Sequence, residues 1–251
     1  MVTGERTPHP ARRDNRGDEN HGCQTGAEHN YHVKIKQKIG VFGGTFDPVH
    51  EGHLGLAGQV LARGIVDQIL FVPALHPPHK IAARAAFADR IAMLQAALAG
   101  QENMRISTIE EKRQGPCYTV HTLEALQEQE PDVQLVFLMG ADSLVDFTKW
   151  YRYEQILALA DLLVLSRPGV DDQRCQQTIQ ALPGGYAIHC VSDDLVVHGS
   201  GTGKHVYFFK PEQRWPISST AIRKQLAAGH APPGVPAPVL AHIRDQRLYQ
   251  N

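Results

Sequence analysis

Two histidines three residues apart, His50 and His53, stand in the run Gly43-Gly44-Thr45-Phe46-Asp47-Pro48-Val49-His50-Glu51-Gly52-His53. On a helix, side chains at this spacing share one face, so both imidazoles would project from its first turn. The paired glycines follow Ile39 to Phe42, an apolar run that suits a buried strand. Glycine there lets the chain turn sharply and expose backbone N–H groups. Turned amides, a helix N-terminus and two imidazoles together make a site for polyphosphate. The same residues admit a second chemistry, because neutral imidazole is a common metal ligand and Asp47 or Glu51 could supply a third donor. Far downstream lies Ile217-Ser218-Ser219-Thr220-Ala221-Ile222-Arg223. Ser218 and Ser219 are N-cap candidates, Ile222 and Leu226 follow at helical spacing, and Pro216 marks the boundary. This helix start offers an anion amides, hydroxyls and the forked charge of Arg223. A capped surface helix with a solvated arginine would show the same pattern.

The two segments together resemble the nucleotidyltransferase superfamily of adenylyl- and cytidylyltransferases, whose signatures are (His or Thr)-x-Gly-His and Ser-Ser-Thr-x-x-Arg. Further segments recur in the order found in the bacterial nicotinate-nucleotide adenylyltransferases: Pro77-Pro78-His79-Lys80, Tyr118-Thr119, Gly140-Ala141-Asp142-Ser143, Trp150-Tyr151 and Arg167-Pro168-Gly169. The resemblance spans residues 37–250. It implies adenylyl transfer from ATP to nicotinate mononucleotide, with Mg²⁺ carried by the triphosphate and no protein metal site. His50, His53 and Arg223 would stabilise the transferring charge. Gly44, Thr45 and Phe46 would offer backbone amides to phosphate, and Ser218, Ser219 and Thr220 would close over the ATP phosphates. Asp142, in the loop opened by Gly140, would lie near ribose or nucleotide, a helix N-cap being the alternative use for it. Trp150 and Tyr151 would stack on the pyridine, Tyr118 and Thr119 would receive its carboxylate, and Lys80 and Arg167 would attract the mononucleotide. A pantetheine-phosphate adenylyltransferase would share the phosphate motif but is not expected to carry the Tyr118-Thr119 and Trp150-Tyr151 segments. A nucleotide-binding regulator without catalysis is the rival of a different class.

Composition fits a compact enzyme. The 251 residues include 42% hydrophobic side chains, enough for a sizeable core, with 25 basic against 26 acidic groups. Such a balance gives no broad electrostatic footprint for nucleic acid or membrane, and no apolar run approaches the ~20 residues of a membrane span. Cys23, Cys117, Cys175 and Cys190 show no paired spacing, so a reduced, cytoplasmic setting is expected. Monomer and homo-oligomer are equally compatible with the sequence. Residues 1–32 hold almost nothing apolar to bury and are expected to be a disordered tail. Their histidines, His9, His21, His29 and His32, form no metal-ligand pattern.

The folded domain is expected over 33–251. Strands fit 34–42, 68–72, 104–109, 134–139, 161–166, 187–191 and 205–209. Helices fit 51–63, 84–99, 119–129, 143–147, 152–159, 172–181, 219–228 and 236–247. Such alternation implies an α/β, Rossmann-like single domain, its mainly parallel sheet covered by helices on both faces. Ligands then bind beyond the C-terminal ends of the strands, where the first strand delivers Gly43 and Gly44. Gly199 to Lys204 falls one residue short of a P-loop and has His205 where Ser or Thr would hold Mg²⁺. A flexible hairpin leading into the next strand accounts for it better.

Overall fold

Strand and helix alternate along the chain. The order is β1 (Lys38–Gly44), α1 (Glu51–Ala62), β2 (Gln68–Pro73), α2 (Phe87–Leu98), β3 (Met104–Ile106), α3 (Thr119–Gln129), β4 (Gln134–Gly140) and α4 (Ala141–Val145). After a 3₁₀ turn at Phe147–Lys149 come α5 (Tyr153–Leu159), β5 (Asp161–Leu165), α6 (Asp172–Gln180), β6 (Ala187–Val191), β7 (Leu195–Gly199), β8 (His205–Phe209), α7 (Ser219–Ala227) and α8 (Ala237–Asp245). This computed structural model describes residues 36–76, 83–111 and 113–250. The expectations for the N-terminal tail, for residues 34 and 35 of the first strand, and for Lys80 lie outside the described residues.

The eight strands form one sheet in the order β3-β2-β1-β4-β5-β8-β7-β6. From β3 to β8 every neighbouring pair is parallel. Strict alternation divides the apolar side chains between the two faces. Leu135, Phe137 and Met139 of β4 point with Leu162 and Val164 of β5 into a core covered by α3, α4, α5 and α6. Val136, Leu138, Leu163 and Leu165 point the other way, into a core covered by α1, α2, α7 and α8. The α/β architecture expected from the pattern is the one observed.

One strand escapes that pattern. β7 pairs antiparallel with both β6 and β8, so the sheet is mixed at this edge. Its buried positions are Val196 and His198, and a histidine on the buried register disguises the alternation a strand should show. The stretch from Ser200 to Lys204 is the turn of the β7–β8 hairpin, closed by a Ser200–Lys204 backbone bond of 2.9 Å. Boundaries also shift: β1 runs on through Gly44, β3 stops at Ile106, and α2 starts at Phe87 rather than residue 84.

The segment leading into α7 is docked on α1, which fixes the two motif-bearing helices relative to each other. Gln59 and Gln213 exchange side chain–backbone hydrogen bonds of 2.9 and 3.0 Å. Trp215 lies flat where Gly55 leaves no side chain, and a Cβ at residue 55 would collide with its indole. Gly55→Ala is therefore expected to cost about 1–3 kcal/mol through overpacking. Thermal denaturation would read this as a midpoint several degrees lower.

Candidate active site

β1 ends in a loop whose backbone is held from behind. A Cβ on Gly44 would sit 2.8 Å from the Phe46 ring, so only glycine lets that ring fold under the turn. Phe46 itself takes a left-handed conformation, φ 49°, and its ring is buried against Phe42, Phe71 and His53 at 5.1–5.7 Å between centroids. Its contribution to a ligand is thereby limited to the backbone. Arg90, fully buried, donates from one guanidinium nitrogen to the carbonyls of Thr45 and Ala74, both at 2.8 Å. Burial pulls its pKa down from the ordinary arginine value.

Asp47 is 3% exposed. Its carboxylate accepts from the backbone N–H of Arg84 at 2.8 Å, that of Ala85 at 3.1 Å and the Tyr249 hydroxyl at 2.7 Å. These bonds consume the group proposed above as a metal ligand. Among the described residues, no three His, Cys, Asp or Glu side chains are grouped to hold a metal.

The two histidines lie as their spacing requires. His50 caps α1, and its backbone N–H donates to His53 Nδ1 at 3.3 Å. The rings stack at 3.7 Å between centroids, 25° from parallel. With Nδ1 of His53 accepting, a neutral ring carries its proton on Nε2. His50 is 6% exposed, and burial lowers its pKa to about 4, so it is neutral at pH 7. Its Nδ1 is buried without a hydrogen-bond partner, a nitrogen that a ligand oxygen or water would satisfy.

α7 closes against this loop. Ser218 caps it by accepting from the Ala221 N–H at 3.2 Å. Ser219 donates to the Pro48 carbonyl at 3.0 Å. Arg223 donates to the Asp47 carbonyl at 2.6 Å and to the Thr220 hydroxyl at 3.3 Å. Residues far apart in sequence thus meet at the C-terminal end of β1.

On the other side of that strand end is a cavity of about 600 Å³. It opens between β1 and β4, the adjacent strands from which the chain winds outward in opposite directions, as ligand sites in open α/β sheets do. Gly44 and Thr45 line it, with Tyr118, Thr119, Asp142, Trp150 and Tyr151. Trp150 meets Phe137 and Phe147 edge-on at 6.1 and 5.6 Å, so it is packed on one side and lines the cavity on the other. Tyr118 and Tyr151 lie 4.6 Å apart at a tilt of 33°. Arg167 is not part of the lining; it reaches Asp142 at 3.4 Å, across the Cβ-free edge of Gly140.

The cytidylyltransferase-like family model matches residues 41–225. A protein of Gloeobacter violaceus described as "probable nicotinate-nucleotide adenylyltransferase" is 36% identical over 85% of this chain and 96% of its own length. One of Trichlorobacter lovleyi with the same description is 38% identical over 85% of this chain and 99% of its own. The chain belongs to the nicotinate-nucleotide adenylyltransferases. Among solved structures, the Plasmodium falciparum nicotinic acid mononucleotide adenylyltransferase complexed with NaAD has the same fold. Its TM-score is 0.65 and its identity 17%, covering 85% of this chain and 97% of that one.

Family motifs do not mark every residue that builds the site. Glu110, 7% exposed, lines the cavity, accepting from the Thr122 hydroxyl at 2.7 Å and the Leu75 N–H at 3.1 Å. It thereby ties the loop after β2 to α3. Arg90 does comparable work under the loop after β1. No local spacing announces either residue, since each partner comes from another part of the chain.

Burial of neutral His50 links stability to pH. The unfolded chain takes up a proton near pH 6.5 that the folded chain refuses until about pH 4, so the contribution is complete above pH 6.5 and falls away as pH drops toward 4. Burial pushes His198 in the same direction. Between pH 7 and pH 4.5 the His50 share amounts to about 2–3 kcal/mol. Urea denaturation at both pH values should show a smaller acid loss in His50→Gln than in the native protein; equal losses would assign the acid sensitivity elsewhere.

Proposed function

We propose that the chain transfers the adenylyl group of ATP to nicotinate mononucleotide, releasing pyrophosphate and nicotinate adenine dinucleotide, and that residues 33–251 carry out this step of NAD biosynthesis in the cytoplasm. The curated relatives bear the name of that activity. One geometric observation carries the reading: the end of β1, at Gly44 and Thr45, borders both the aromatic cavity and the loop that leads to His50 and His53. A mononucleotide in the cavity would present its phosphate to the strand end against which the triphosphate lies.

The reaction needs little from a protein beyond alignment and charge stabilisation. A phosphate oxygen of the mononucleotide attacks the α-phosphorus of ATP, and the bond to the bridging oxygen breaks as pyrophosphate leaves with the electron pair. Nε2–H of His53 and a ring N–H of His50 would donate to the oxygens on which charge accumulates. His50, held neutral by burial, keeps one ring N–H to donate. Arg223 would hold the β- or γ-phosphate, with Ser218, Ser219 and Thr220 shaping the helix start around it. Mg²⁺ carried by the triphosphate would supply charge neutralisation for the leaving group, and the loop's amides and imidazoles would face the phosphate oxygens rather than the cation. At the acceptor end, Trp150 and Tyr151 would receive the pyridine ring, with Tyr118 and Thr119 at its carboxylate. Lys80 and Arg167 would draw the acid in.

Pyrophosphate release from MgATP, with nicotinate mononucleotide, nicotinamide mononucleotide or phosphopantetheine as acceptor, tests the assignment. A strong preference for the nicotinate form is expected, and preference for phosphopantetheine would overturn the acceptor site. His53→Ala should lower kcat by about 10²–10³-fold with the thermal midpoint nearly unchanged; an unfolded variant would make His53 structural. Trp150→Ala should raise KM for the mononucleotide roughly tenfold, stacking being worth about 1–3 kcal/mol. An unchanged KM would leave Trp150 a packing residue only.

A further inference from the structure

We infer that Tyr249, one turn beyond the last helix, is a positioning residue that keeps Arg223 available to the triphosphate by holding the Asp47 carboxylate. This rests on the proposed adenylyl transfer, which gives Arg223 its phosphate to bind.

Arg223 has two claims on it from Asp47. It donates to the Asp47 carbonyl at 2.6 Å, yet the Asp47 carboxylate stands 3.7 Å from the same guanidinium nitrogen. A carboxylate and a guanidinium so close in a buried site would ordinarily close into a short forked pair. Here the carboxylate is taken by other donors. Oδ2 accepts from the Arg84 N–H, and Oδ1 accepts from both the Ala85 N–H and the Tyr249 hydroxyl. The hydroxyl bond is the shortest of the three, at 2.7 Å. Those donors hold the acid in an orientation that leaves Arg223 anchored through a neutral carbonyl, with its charge not cancelled by a forked pair.

The backbone shows that this contact is specified. Four described residues other than glycine have φ in the left-handed region, a conformation side chains rarely adopt. Three of them flank this one hydrogen bond: Phe46, next to Asp47, and Arg247 and Tyr249 itself. After α8 the chain turns back through those two residues and delivers the hydroxyl to the acid. The Tyr249 ring packs against the core under α1, α2, α7 and α8, so a phenylalanine would keep the packing and lose only the donor.

Removing that donor leaves Oδ1 with the Ala85 N–H alone and lets the carboxylate turn toward Arg223, whose guanidinium already stands 3.7 Å from Oδ2. That guanidinium would then swing from carbonyl to carboxylate, and its charge would be spent inside the protein. Y249F is therefore expected to raise KM and the calorimetric dissociation constant for MgATP about five- to tenfold. KM for nicotinate mononucleotide and the thermal midpoint should stay near the native values. In a D47N background, with no carboxylate to compete for Arg223, adding Y249F should change ATP affinity less than twofold. Native ATP affinity in Y249F would overturn the inference. So would equal weakening toward both substrates together with a lower midpoint, the result for a merely structural anchor. Calorimetry needs no acceptor, so failure of the proposed transfer reaction would be seen separately, in the acceptor assay of the native protein.

Discussion

A carboxylate removed from water is costly unless it is fully hydrogen-bonded, and the organisation of this molecule around Asp47 follows from that constraint. Its partners come from the residues leading into α2, from α7 and from the end of the chain, while Asp47 itself lies in the loop after β1. Satisfying one buried charge therefore pins together three segments distant in sequence, and Arg223 of α7 joins them through the Asp47 carbonyl. Because the acid lies three residues before His50, the same bonds that stabilise it set where the first turn of α1 begins. Arg90 extends the arrangement with the opposite charge, its buried guanidinium tying the loop carbonyl of Thr45 to that of Ala74.

The sheet supplies the frame for this loop. β1 is central, with β2 on one side and β4 on the other, so the connections leaving its C-terminal end and that of β4 diverge and leave a crevice. Side-chain alternation then gives the two halves of the site different characters. The face under α3, α4 and α5 contributes the aromatic and apolar wall, Phe137, Trp150 and Ile156, to the cavity. The face under α1 and α7 contributes imidazoles, hydroxyls and a guanidinium. An aromatic side and a side of imidazoles, hydroxyls and a guanidinium are thus separated by the thickness of one strand end.

Electrostatics sharpen that division. The cavity lining carries the carboxylates of Glu110, Asp142 and Asp146 with Lys149 paired to Asp146, whereas the side under α1 and α7 presents stacked histidines, one of them held neutral by burial. A neutral imidazole at His50 adds no buried charge and still keeps one N–H to donate. The full charges there, Arg90 and Arg223, are anchored on backbone carbonyls, which fixes their direction without cancelling them.

The sequence alone determined what is encoded between near neighbours. The three-residue spacing of His50 and His53, the Gly43-Gly44 turn, the serines before Ile222 and the apolar runs of the central strands each follow from a local period. Each reappears as one helix face, one turn, one cap and one parallel sheet. Tyr118, Thr119, Trp150 and Tyr151 were legible as a set through the family motifs, and the structure brings all four to one cavity. What only the tertiary structure decided is who answers whom across the fold: Tyr249 and Arg223 at Asp47, Thr122 at Glu110, Trp215 over Gly55, and His198 on a strand its polarity concealed. The reason is physical. A helix or strand is specified by contacts a few residues apart, but the partner of a buried polar group is whichever donor the folded chain brings within 3 Å, and no spacing along the sequence records that distance.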